Sequence, residues 1–173
     1  MALLDIQALV KRFDHRIILE QDTLQLEKGI HLLTGSNGSG KSTFLKLLSG
    51  LIPFEVKIVL NRDIYLGKDH RNHRLAVSYS ESEPQLPVYL LGSYLVEMYQ
   101  QLKGGNAAQT QSIKDLLGID DFFEQKISSY SSGMKKKLAL TLAFIGQPVL
   151  ILLDEPFNAL DIEAKEGLES LIK

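Results

Sequence analysis

The 173 residues contain no cysteine, which excludes disulfides and thiolate metal sites and suits a reducing compartment. Charge of one sign is also missing. Against 21 acidic side chains stand 19 basic ones, and a net charge of −2 sets up no field that would gather nucleic acid or anionic lipid. Long apolar runs are absent as well: the longest, such as Val149 to Leu153, hold about five residues against the roughly 20 needed to span a bilayer. The start, Met-Ala-Leu-Leu-Asp-Ile, lacks the basic opening and long apolar stretch of a secretory leader, so a cytosolic chain is expected, with any membrane association made through a partner. There is no internal repeat or low-complexity tract, and the one lysine run, 135–137, is short. What remains is an ordinary globular composition, 45% hydrophobic and 23% charged, of a length suited to one domain over residues 1–173.

Against that plain background, residues 35–43 read Gly-Ser-Asn-Gly-Ser-Gly-Lys-Ser-Thr. The stretch fits G-x-x-x-x-G-K-[ST], in which glycines let backbone N–H groups close around the phosphates of a nucleotide. Its flanks carry the context the motif requires. Ile30-His31-Leu32-Leu33 reads as a buried strand leading in, and Phe44 to Leu48 reads as a helix leading out. A Gly/Ser-rich surface loop is the plainer alternative, and the strand–loop–helix context disfavours it. A dinucleotide fingerprint is excluded because Gly38 to Thr43 lacks the third glycine of G-x-G-x-x-G.

Elsewhere the coarse pattern is mixed. Leu4 to Val10, Ile17 to Leu19 and Thr23 to Leu26 alternate as strands, and Glu27-Lys28-Gly29 reads as a turn. Val56 to Leu60, Asp63 to Leu66 and Leu75 to Tyr79 are further strand candidates, and Asp69 to Arg74, with His70 and His73, reads as a solvated turn. From Glu83 to Tyr130 the pattern turns helical, with Leu90, Leu91, Tyr94, Leu95, Met98 and Leu102 at three- and four-residue steps as an apolar face. Thr110 to Leu117 and Asp120 to Lys126 continue the helical block, which is expected to be a subdomain inserted over about 83–133.

Val149 to Leu153 reads as a buried strand of the parallel-sheet type and ends at Asp154-Glu155-Pro156. Adjacent carboxylates just past such a strand suit a cation and a reaction. In phosphate-loop enzymes one carboxylate at this place helps hold Mg²⁺, and a second can orient the attacking water.

Taken together, these motifs resemble the ATP-binding cassette family, in particular the nucleotide-binding subunit of an ABC transporter, over nearly the whole chain. The family signature Leu-Ser-Gly-Gly-Gln has its counterpart at Tyr130-Ser131-Ser132-Gly133-Met134, ahead of a helix expected at Met134 to Ile145. The aspartate loop has its counterpart at Asn158-Ala159-Leu160-Asp161. The resemblance implies an α/β fold: a P-loop NTPase core of ABC type, an N-terminal antiparallel β-subdomain and the inserted helical subdomain. It implies ATP and Mg²⁺ as ligands, bound by residues of this chain. Ser36, Asn37, Gly38, Ser39, Gly40, Ser42 and Thr43 would surround the phosphates, with Lys41 on the β- and γ-phosphates. Ser42 and Asp154 would serve Mg²⁺, Glu155 would act as general base, and Phe13 would stack on adenine. Ser131, Ser132, Gly133 and Asp161 would face the nucleotide of a second ATP-binding subunit, identical or paralogous. A helix N-terminus at Ser131, which can also cap its helix, is a natural anion grip.

The implied role is to power a separate integral membrane permease from its cytoplasmic face, docked through the helical subdomain, with no nucleic acid partner. Three departures qualify the resemblance. Ser82 stands where the family has a glutamine, with Gln85 three residues later; Ser132 and Met134 replace the signature's glycine and glutamine. The sequence also reaches Lys173 without the family's later histidine, which leads to an expectation of slower hydrolysis. Alternatives are an ABC-type ATPase in DNA repair or translation, a poorly hydrolysing ATP-gated adaptor, and a small-molecule kinase, which would need a lid with arginines.

Overall fold

The computed structural model describes residues 3–13, 16–54 and 57–173, and it divides into two compact units, Met1–Val77 and Ser78–Lys173.

The first unit is built on a four-stranded antiparallel sheet in the order β2-β1-β3-β4. Its strands are β1 (Leu4–Phe13), β2 (Arg16–Leu26), β3 (Lys57–Leu60) and β4 (Ile64–Tyr65). Leu4 pairs with Leu26 on one side and Leu60 on the other, and Ile6 with Leu24 and Ile58. Period-two alternation puts Leu4, Ile6, Ile58 and Leu60 inside, all but inaccessible to solvent. The two short runs Ile17 to Leu19 and Thr23 to Leu26 belong to one long strand. Helix α1 (Lys41–Leu48) buries Phe44, Leu47 and Leu48, at the i, i+3, i+4 spacing of one helical face.

Two expectations about this unit change. Asp69 to Arg74 is no solvated turn: Asp69 caps helix α2 (His70–Ala76), its Oδ1 accepting from the N–H groups of Arg71 and Asn72. That helix absorbs Leu75 and Ala76, leaving strand β5 only Val77–Ser80. His73 is buried within it, with Nε2 2.7 Å from the carbonyl of Leu48 and the N–H of Gly67 donating to Nδ1. A capping aspartate followed by good helix formers outweighs the polarity that suggested a turn. The other change is at Ile30 to Leu33, which is exposed and outside any helix or strand rather than a buried strand. Ile30 is 70% and Leu32 87% exposed, and the segment joins no ladder among the described residues. Apolar composition gives a strand its tendency; a hydrogen-bonded neighbour has to supply the rest.

The second unit has a small sheet of β5 with β6 (Leu150–Leu153) and four helices: α3 (Gly92–Lys103), α4 (Ala107–Leu117), α5 (Ser132–Phe144) and α6 (Ile162–Ile172). Its core gathers Leu95 and Val96 of α3, Ile113 and Leu117 of α4, Leu138 and Leu142 of α5, and Leu168 of α6. Helices α4 and α6 approach so closely that a Cβ on Gly167 would collide with the carbonyl of Leu116. Two expectations shift here as well. Strand β6 is half-covered, Leu152 alone being buried, and among the described residues its sheet has two strands. On α3, Leu95 and Val96 turn inward, while Tyr94, Met98 and Leu102 of the expected apolar face lie exposed. Asp120 to Lys126 forms a single 3₁₀ turn, Asp120–Phe122, followed by another at Ile127–Ser129.

Candidate functional site

The phosphate-type loop belongs wholly to the first unit, and its shape follows from its glycines. Gly38 (φ 80°) and Gly40 (φ 91°) take left-handed torsions that other residues resist. Gly40 is the N-cap of α1, so no side chain caps that helix, and a Cβ there would lie 3.0 Å from the carbonyl oxygen of Ile18. The first-turn N–H groups of α1 thus point out of the helix with no acidic residue in that turn, an arrangement that favours an anion. Lys41 folds back across the loop, its ammonium donating to the carbonyls of Gly35 (2.7 Å) and Ser36 (2.9 Å). Ser36, Asn37, Ser39 and Ser42 are exposed along the loop and Thr43 is half-buried. Phe13 closes β1, but its side chain lies outside the described residues.

The acidic turn lies in the second unit and is held quite differently. Asp154 is buried; its N–H donates to the carbonyl of Ser80, and its Oδ2 accepts from the hydroxyl of Tyr79 at 3.3 Å. Burial and the neighbouring Asp154 push the Tyr79 hydroxyl well above its ordinary titration range, so it remains a donor. Glu155 is exposed and takes φ 44°, left-handed for a residue with a full side chain. Asn158 secures it twice, its backbone N–H donating to the carbonyl of Glu155 (3.2 Å) and its amide to Oε2 (2.7 Å). From α5, Lys136 reaches beneath the turn and donates to the carbonyls of Glu81 (2.7 Å) and Asp154 (2.8 Å).

The signature-like segment starts α5. Ser131 is the N-cap, its hydroxyl accepting from the N–H of Met134 while its own N–H meets the Met134 sulfur. Met134 thereby takes the reciprocal part of a capping box, a part usually played by Glu or Gln. Ser132 is exposed. A Cβ on Gly133 would sit 2.8 Å from the carbonyl of Ala159, so the 158–161 turn packs on the glycine that the sequence kept. Asp161 caps α6 through Ala164 and pairs with Lys137 at 2.7 Å. That bond to Lys137, with the capping N–H, holds the Asp161 carboxyl below the usual carboxylate range.

Within the second unit, then, Asp154 and Glu155 share a turn, and Ser131 to Gly133 meet the loop leading to Asp161. A cleft of about 460 Å³ opens here between Ser82 to Gln85, the start of α5 (Ser132, Lys135, Lys136), and Glu155 with Asn158 and Ala159. Sequence reasoning had passed over Tyr79, Lys136 and Asn158 as partners of the acidic pair. The signal available for Lys136 was its place four residues before Leu140, a lysine on the apolar face of a helix.

Among the described residues no three His, Cys, Asp or Glu side chains cluster as a metal cage. Ser42 in the first unit offers a hydroxyl and Asp154 in the second a carboxylate, each a hard oxygen of the kind that Mg²⁺ takes.

Comparison with known proteins follows the same lines. A family model described as ABC transporter matches residues 19–158. An aliphatic sulfonates import ATP-binding protein of Burkholderia cenocepacia is 31% identical, over 98% of this chain and 62% of its own. A lantibiotic transport ATP-binding protein of Streptococcus pyogenes is 29% identical, over 99% of this chain and 74% of its own. An uncharacterised ABC transporter ATP-binding protein of Bacillus subtilis is 34% identical, over 92% and 73%. Among solved structures, an ATP-binding subunit of an ABC transporter superposes with a TM-score of 0.87 at 26% identity, covering 98% of this chain and 72% of that one. A cobalt transport ATP-binding protein superposes with a TM-score of 0.82 at 23% identity, a likeness of fold. The chain therefore spans about two thirds of the length of such relatives.

Proposed function

This chain belongs to the ABC transporter family, and from that premise we propose that it binds and hydrolyses ATP to power a separate membrane permease. The observation that carries the reading is the loop at Gly35 to Ser42: left-handed glycines lead into a helix whose first-turn amides no side chain caps. Such a loop grips phosphate through backbone donors and helix dipole together. Lys41 would exchange the carbonyls of Gly35 and Ser36 for the β- and γ-phosphates, a stronger charge-assisted bond. Ser36 to Ser39 and Thr43 would line the phosphates, and Phe13 would stack on the base.

Ser42 would hold Mg²⁺ directly, with Asp154 acting through its water. The ion supplies charge neutralisation at the phosphates. Tyr79, a donor to one oxygen of Asp154, fixes that carboxylate's orientation. Glu155 would accept the proton of the attacking water. Its left-handed backbone and the amide of Asn158 restrict where the carboxylate can go. Ser131, Ser132, Gly133 and Asp161 would face the nucleotide of a second ATP-binding subunit.

The permease would dock on the exposed apolar stripe of α3 and the loop before it. Val88, Tyr89, Tyr94 and Leu102 are between 49% and 76% exposed there. A single apolar side chain in water is ordinary; a stripe is a docking surface. Among the described residues no helix is long and apolar enough to cross a membrane, so in this reading the chain sits on the cytoplasmic face through its partner.

The test is a pair of substitutions. Lys41→Ala is expected to weaken Mg·ATP binding by about 10²-fold, and Glu155→Gln to retain binding while hydrolysis fails. Unaltered nucleotide affinity in Lys41→Ala would refute the reading.

A further inference from the structure

Lys136 is almost wholly buried, 1% exposed, on a helix whose other buried residues are mainly aliphatic. A charged amine in such a place is expensive unless its donors are taken. Here two of them are taken, and by chosen acceptors: the carbonyl of Glu81, which leads into the 82–85 loop, and the carbonyl of Asp154. The carboxylates of Asp154 and Glu155 add favourable charge nearby, which counters the downward push of burial on this ammonium.

The choice of the Asp154 carbonyl has a geometric consequence. That oxygen lies in the peptide plane whose nitrogen belongs to Glu155, and rotation of this plane about the N–Cα bond is the φ torsion of Glu155. Lys136 therefore holds one end of the left-handed torsion of 44°, and the bond from the Asn158 N–H to the Glu155 carbonyl holds the other. A non-glycine residue left alone relaxes from such a torsion toward the common regions. Relaxation would swing the Glu155 side chain, because Cβ moves with the backbone.

We propose that Lys136 is a positioning residue for Glu155, clamping the 154–155 peptide so that the carboxylate projects into the cleft beside Ser82 to Gln85. The proposal rests on the functional reading above for its effect on hydrolysis, but the clamp itself is a property of the fold. It touches neither nucleotide nor water; it acts through the backbone of Glu155. Lysine suits the task because one ammonium can reach two carbonyls 73 residues apart in sequence (154 minus 81).

The experiment pairs amide hydrogen exchange with steady-state ATPase kinetics on the whole chain. In Lys136→Met, exchange over 154–158 and 81–85 is expected to rise about tenfold while the rest of Ser78–Lys173 stays protected. The kcat is expected to fall about tenfold or more with KM for ATP within about twofold, and Lys136→Arg, which can still bridge two carbonyls, to recover about a third of the lost rate. Unchanged exchange over 154–158 overturns the clamp whatever the kinetics do, and a raised KM with intact kcat overturns the positioning role. Should the unsubstituted chain with its partners hydrolyse no ATP, the functional reading falls, while exchange still decides the clamp. If Lys136→Met fails to fold, Lys136→Gln, neutral and one bond shorter than lysine, is the milder way to break the bridge between the two carbonyls. Local protection over 154–158 that survives that change overturns the proposal.

Discussion

Between Gly35 and Ser42 the chain lies exposed and takes its shape from torsions that glycine adopts freely. Around Asp154 and Glu155 a comparable left-handed turn is made by a residue that resists it, and neighbours from distant parts of the chain hold it there. Lys136 stands 18 residues from Asp154, and Tyr79 stands 75. The difference teaches where rigidity comes from. In the proposed function the loop opens its amides to an incoming anion, a task suited by order that is local and by a lysine bonded only to carbonyls of its own loop among the bonds described. In the proposed function the acidic turn presents a base at a fixed place, a task suited by order borrowed from the surrounding fold.

The comparison breaks most sharply at the two charged side chains that each region depends on. Glu155→Gln is expected to lower ATP turnover by about 10²–10⁴-fold with nucleotide affinity intact, the span of a general base. Phosphate release with parallel nucleotide titration would read both. Lys41→Ala should weaken Mg·ATP binding by about 10²-fold, the loss of one strong charge-assisted contact; calorimetric titration in excess Mg²⁺ measures it. If both changes hit turnover and affinity alike, the division of labour between the regions is wrong.

Backbone substitutions sharpen it further. Gly40→Ala adds a Cβ 3.0 Å from a carbonyl and a disfavoured torsion, where Gly38→Ala adds only the torsion, with nothing within 4 Å of its Cβ. The first is expected to destabilise the chain by about 2 kcal/mol and the second by about 1 kcal/mol, read as the difference between two denaturant midpoints. Equal losses would mean that crowding at Gly40 does not matter. Gly167→Ala should cost about 2–3 kcal/mol through overpacking between α4 and α6. Its nucleotide affinity should stay unaltered.

The smallest effect concerns Lys137 and Asp161. The Asp161 carboxyl is held below its unfolded value, so its contribution is complete above the ordinary carboxylate range and is lost as pH falls through the lowered value. The pair is half in solvent on the Asp161 side, which limits it to about 1 kcal/mol or less. Lys137→Met should lower stability by about that amount at neutral pH and leave the acid end of a thermal-melt series, where the carboxyl is protonated, nearly unchanged, so that the acid limb flattens.

Much of the fold was legible where chemistry is local. The alternation at Leu4 to Val10, the glycine after α3, the cap at Ser131 and the left-handed glycines of the loop all depend on near neighbours. Misreadings came where the partner lay elsewhere. The apolar run at Ile30 to Leu33 could not reveal that it joins no ladder among the described residues, and the polar run at Asp69 to Arg74 concealed a buried histidine. On α3 a three- and four-residue pattern marked an apolar stripe, yet of its α3 members only Leu95 reaches the core, joined by Val96 one step round the helix. Periodicity finds a face; it does not say what covers it.

The sequence by itself determined the residue types and spacing from which the proposed function is argued: the glycines and lysine of the loop at 35–43, the acidic pair, and the serine that caps α5. Those are matters of side-chain type and short-range torsion, which a linear string contains. Tertiary structure alone decided that Lys136, Tyr79 and Asn158 would converge on the acidic turn, because contacts made through folding depend on how strands and helices pack and not on distance along the chain.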